Sequence, residues 1–150
     1  MKKKITSYIA NKYTNEDDAM IIMDLKIDNF LAFKNFHMNM AYPKKIVNSY
    51  IPNEHLKDRS NFRYKKVNIL MGSNATGKTS IGKMLMAICN FMKRKDVLGL
   101  IDKVADLEKE ATISIDFVGK SFKMYRLDIE IQPGMDDENL PEIFVCKRIV

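Results

Sequence analysis

A chain of 150 residues, 46% of them hydrophobic, is long enough for one domain with a core and short for two. Its two cysteines, Cys89 and Cys146, exclude a disulfide framework and a C-x-x-C metal pair, and they point to a reducing, cytoplasmic setting. The net charge of +6 is uneven: residues 1–95 hold 18 Lys and Arg against 7 Asp and Glu, a surplus of +11, whereas residues 96–150 hold 7 against 12, or −5, so the first part suits a polyanion partner.

Lys2, Lys3 and Lys4 open the chain like a secretory signal, but Thr6, Ser7, Asn11 and Lys12 break the apolar stretch behind them, and no export is expected. No uninterrupted apolar run approaches the length of a membrane helix. Residues 1–19 read as an N-terminal extension on the edge of a domain that occupies residues 20–150.

Residues 20–27 are the first strand, on the alternation of Leu25 and Ile27 with Lys26. Four apolar residues ending in Asp24 superficially match a strand that carries a magnesium-orienting aspartate, but the strand runs on and no second acid follows, so Asp24 reads as an ordinary edge or surface residue. Residues 36–42 form a second strand. From Pro43 to about residue 64 the density of Asn, Ser, Pro and charge predicts a long loop. His37 and His55, the only histidines, have no partner at metal spacing and read as loop or sheet-surface residues.

Residues 67–71, Val-Asn-Ile-Leu-Met, have the composition of a short strand buried on both faces of a parallel sheet. Gly72, Ser73, Asn74, Ala75, Thr76, Gly77, Lys78 and Thr79 then fit G-x-x-x-x-G-K-[ST], the phosphate-binding loop of P-loop nucleotidases. By chance a chain of this length shows the pattern roughly once in a few hundred sequences, so the flanks matter. Downstream, Ile81, Met84, Leu85, Ile88, Cys89, Phe91 and Met92 recur at three- and four-residue steps and predict an amphipathic helix from about Lys78 to the cations Lys93, Arg94 and Lys95.

Each position in the loop has its own chemical reason. Gly72 and Gly77 lack a Cβ and can take positive φ, so the backbone can close around an anion. Lys78 supplies a point charge for the β- and γ-phosphates and Thr79 a hydroxyl for Mg²⁺, while Thr76, Gly77 and Ser80 offer backbone N–H groups at a helix N-terminus. Lys78 is the one catalytic candidate, Thr79 the metal candidate, and the cofactors are ATP and Mg²⁺.

Beyond that helix, Leu100, Ile101, Val104 and Leu107 predict a second short one. Ile113, Ile115 and Phe117 alternate with Thr112, Ser114 and Asp116, and Gly119-Lys120 can turn the chain into a strand over residues 122–131. Phe122 and Met124 share one parity and Leu127, Ile129 and Ile131 the other, which predicts a bulge near Met124. Pro133-Gly134 suits a type II turn, and residues 143–150 are a last strand.

The order of Leu25 to Phe30, Phe33-Lys34, and residues 68–79 resembles the N-terminal lobe of ABC-type ATPases of the SMC-like, RecF-like and OLD-like group. The resemblance implies an α/β P-loop NTPase fold with a mixed or antiparallel sheet around the P-loop helix. It also implies ATP held between two heads, as a homodimer or with another head-to-head partner, and a role on DNA in repair or anti-phage defence, with an effector protein as a further partner and no membrane. Asn74 matches the asparagine common in this group's loop, and Lys34 and Asn35 fall where the first lobe approaches the nucleotide.

The departures bear on function. Leu31 stands where many members carry Arg, and Gln132, the only glutamine, is the sole candidate for the magnesium-binding glutamine although its place between strands reads as a turn. After Thr79 no Asp-Glu pair ends an apolar strand and no Ser-Gly signature occurs, so hydrolysis needs carboxylates and a signature loop from elsewhere. The chain then reads as the first part of a longer ATPase or one half of a split one. Two alternatives stand beside it: an ATP-switched nucleic-acid or protein interaction module without hydrolysis of its own, and a P-loop kinase or GTPase, against which the long antiparallel run argues.

Overall fold

A computed structural model describes residues 20–42, 47, 55–56, 59–73, 77–119, 123–134 and 141–150. The expected N-terminal extension at residues 1–19, Asn74, Ala75 and Thr76 of the loop, and most of the turn after Pro133-Gly134 lie outside the described residues. The main element is a five-stranded antiparallel sheet in the order β2-β1-β6-β7-β8. Its strands are β1 (Ile21–Asp28), β2 (Phe36–Asn39), β6 (Ala111–Val118), β7 (Met124–Gln132) and β8 (Glu142–Ile149). A second antiparallel sheet joins β3 (Ala41–Tyr42), β5 (Arg59–Tyr64) and β4 (His55–Leu56) in that order. The predicted long loop over residues 43–64 is therefore corrected: its second half is a hairpin, and sequence polarity hid it because Ser60, Asn61 and the arginines sit on a largely exposed strand.

One face of the main sheet is apolar because its residues alternate. Leu25, Ile27, Ile113, Ile115, Leu127, Ile129 and Ile131 form one core with Ile81, Met84, Ala87, Ile88 and Phe91 of α1 (Lys78–Arg94) and Leu100 of α2 (Val97–Ile101). The predicted stripe on the first helix is thus the buried one, each large side chain contributing about 1.5–3 kcal/mol by leaving water. Lys95 ends α1 in the left-handed region at φ 58, with its N–H on Phe91 O at 2.9 Å. Asp96 then caps α2 by accepting from Gly99 N at 2.9 Å, so this helix lies earlier than expected and Leu107 is exposed.

The opposite face is polar and partly covered by the small sheet. Met23, Leu56 and Val118 form a second buried cluster there, with Phe62, Tyr64 and Met124 against it. This explains why the bulge predicted near Met124 is missing: β6 and β7 pair without a shift from Ala111↔Ile131 to Val118↔Met124. The parity of the apolar residues changes because both faces are covered at that end of the sheet, not because the register slips.

Three left-handed residues, Asn29 (φ 58), Leu31 (φ 52) and Asn35 (φ 48), shape the β1–β2 connection. Asn29 fastens it: its Nδ2 donates to Asp106 O at 2.8 Å and Glu110 O at 3.1 Å, and its Oδ1 accepts from Asp106 N at 3.0 Å. Leu31, a costly residue at positive φ, is held by its N–H on Lys103 O at 2.8 Å. Among the described residues, no helix is long and apolar enough to cross a membrane.

Candidate functional site

The helix half of the expected strand-to-helix junction is built from three features. Gly77 stands immediately before α1 at φ 86, a conformation that L side chains avoid, and it is the only described glycine with positive φ. Its carbonyl accepts the first helical bond from Ile81 N at 3.1 Å. Gly77 has no side chain with which to cap the helix, and no acid lies in its first turn, so the helix itself places nothing anionic at the positive end of its dipole.

Lys78 closes the loop. Its ammonium turns back to donate to Gly72 O at 2.7 Å and Ser73 O at 2.5 Å, tying the first two residues of the motif to the first residue of the helix. A cation therefore lies against the backbone of Gly72 and Ser73 at the start of α1. Thr79 is exposed in the first turn, and Ser80 is half-buried beside it.

The strand half is corrected. Residues 67–71 are not a buried parallel strand: they run without pairing, and Val67, Ile69 and Met71 are 61%, 79% and 88% exposed. A strand buried on both faces needs a neighbour on each side, and among the described residues both sheets are antiparallel and neither includes it. The apolar composition of the segment stands, but the structure leaves it in solvent.

Lys34 and Asn35 lie beside this junction without reaching it. The Phe33 ring is the contact from their connection, 3.7 Å from where a Cβ on Gly77 would stand. Asn35 donates its backbone N–H to Asp28 Oδ1 at 2.8 Å, and Lys34 acts on Asp106, whose carboxyl it helps to hold low. Among the described residues, neither side chain hydrogen-bonds the loop. Gln132 is the last residue of β7 and not a turn residue, and its amide bonds Glu130.

Family models, curated proteins and solved structures offer no match to this chain. The geometry of the loop and helix therefore stands by itself.

Three polar features escaped the sequence reading. Asp24 is not an edge residue: β1 lies between β2 and β6, and Asp24 Oδ1 meets His37 Nε2 at 2.7 Å. Asp116, 6% exposed, accepts from Arg126 Nε at 2.6 Å and Nη2 at 2.7 Å. That double hydrogen bond, followed by the carboxylate's charge, raises the Arg126 pKa above the usual arginine range, so the side chain is a fixed cation. The third is the Asn29 fastening. Once the β6–β7 hairpin is in register, opposite charges at 116 and 126 are a detectable signal; Asn29 offers none.

Proposed function

We propose that the chain binds Mg-ATP at residues 72–79 as part of an ATPase head of the SMC-like and RecF-like kind, in the cytoplasm. The observation that carries the reading is Lys78 folded over Gly72 and Ser73 beside a left-handed Gly77 at an uncapped helix start. A polyphosphate suits that arrangement: the glycine backbone can approach closely, a helix start offers N–H donors without intrahelical partners, and the lysine supplies a cation. Thr79 would hold Mg²⁺ through its hydroxyl, with phosphate oxygens and water as further ligands.

Among the described residues, no group of three His, Cys, Asp or Glu side chains stands together to hold a metal. In this reading the carboxylate that activates water, and the signature loop, come from outside these residues. So do the strands that flank residues 67–71, whose exposed apolar side chains are those of an unfinished sheet. DNA is the polyanion that the basic first part suits. Nucleotide binding by the chain alone is accordingly weak.

Equilibrium titration of the chain with Mg-ATP, Mg-GTP and magnesium alone tests the reading. Saturable binding of ATP that requires magnesium supports it. Equal binding of GTP, or phosphate transfer to an acceptor substrate, would favour a kinase or GTPase.

A further inference from the structure

On the sheet face opposite α1, side chains from four strands form a cross-strand row in register: Asn39, Asp24, Asp116 and Arg126, with Lys26 and His37 forming the adjacent pair. These groups line a concavity of about 390 Å³ together with Met23 and Met124 of the same sheet and Phe62 of β5. Its size is that of a site for a small organic ligand. Because Leu25, Ile27, Ile115 and Leu127 pack against α1, this concavity and the helix that Lys78 begins belong to opposite faces of the sheet.

The hydrogen-bond accounting of this concavity is lopsided. Most of its acceptors are engaged within the chain: Asp24 Oδ1 with His37, both oxygens of Asp116 with Arg126, and Asn39 Oδ1 with Ala41 N at 2.8 Å. Several of its donors are not. Among the described residues, Lys26 Nζ, Arg126 Nη1 and the Asn39 amide hydrogens have no partner. Lys65 adds a cation at the rim, its ammonium 3.2 Å from Asn39 O. Lys and Arg can only donate, so what complements them is an anion with several acceptor oxygens.

We propose that this concavity binds a nucleoside phosphate, the phosphate on Lys26, Arg126 and Asn39 and the base against Phe62. The apolar wall gives the base a surface to stack on, which an inorganic ion would leave unused. The site does not depend on the reading of residues 72–79. Its ligand is a free nucleotide or the phosphorylated end of a strand, which share this chemistry.

The test uses the full chain carrying Lys78→Ala, so that the loop is silenced, in an amide NMR titration with AMP. Shifts at Lys26, His37, Asn39 and Phe62 are expected, with affinity reduced about tenfold by Lys26→Ala, the loss of one charged hydrogen bond, and by Phe62→Leu. Inorganic phosphate should bind more weakly than AMP. Comparing AMP with a 5′-phosphorylated dinucleotide identifies the source, tighter binding of either one being consistent with the site. The proposal is overturned if millimolar AMP leaves those four residues unmoved, if Lys26→Ala changes nothing, or if inorganic phosphate binds as tightly as AMP.

Discussion

Asp116 and Arg126 face each other directly across β6 and β7, and the guanidinium closes on both carboxylate oxygens at 2.6 and 2.7 Å. Asp116 is buried, whereas the arginine is partly in solvent. Removing the arginine therefore leaves a buried carboxylate without its charged partner. We expect Arg126→Ala to destabilise the fold by about 3–5 kcal/mol, and the double change Asp116→Leu with Arg126→Met to cost far less, because no charge is then left without its partner. Urea unfolding of the two variants measures the difference. Similar losses in both would show that the pair acts through packing alone.

Gly77 separates a conformational cost from a steric one. Among the described residues, a Cβ there would meet only Phe33 Cε1, at an ordinary 3.7 Å, so the expense of Gly77→Ala comes from φ 86. The expected loss is about 1–2 kcal/mol of stability, with a larger proportional loss of Mg-ATP affinity as the loop backbone shifts. Thermal unfolding and nucleotide titration of one sample read both; unchanged nucleotide affinity would count against the loop.

Asp106 carries a pH signature. The hydrogen bond from Lys109, then that from Glu108 N, holds its carboxyl below the usual carboxylate range. A carboxyl held low in the folded state binds its proton at lower pH than in the unfolded chain. Its contribution is thus present above the ordinary carboxylate range and is lost as pH falls through the folded value. Carbon-detected NMR should show Asp106 titrating low, and Lys109→Ala should move it back up. Titration in the ordinary range in the parent chain would remove this interaction from the account.

Residues 67–71 are exposed, so a charge there should be tolerated. Ile69 is 79% exposed, and Ile69→Asp is expected to change stability by no more than about 0.5 kcal/mol. A loss of about 3 kcal/mol or more in urea unfolding would mean that the segment is buried in the chain as it stands.

What could be read from the sequence follows from how far each signal reaches. The helix from Lys78 and the strands at β1, β6 and β8 were legible because 3.6- and 2-residue periods are written in adjacent residues. The G-x-x-x-x-G-K-[ST] pattern was legible for the same reason, and the structure adds that Lys78 reaches back to Gly72 and Ser73. The β4–β5 hairpin was missed because its apolar side chains, Leu56 and Phe62, are isolated among polar neighbours and acquire meaning only against Met23 and Val118, far away in sequence. Residues 67–71 misled in the opposite sense: local composition states what a segment would bury, but whether neighbouring strands are at hand is a property of the whole fold. Asn29, bonded across 77 residues to Asp106, had no local signal at all.

The central claim is that Lys78 and the backbone around Gly77 form a polyphosphate site. Its most direct test is calorimetric titration of Mg-ATP into the parent chain and into Lys78→Ala, with circular dichroism confirming that both are folded. Weak, saturable binding that requires magnesium in the parent, and the loss of that magnesium-dependent component in the variant, is the predicted result. An equal magnesium-dependent affinity for ATP in the two folded proteins would contradict it.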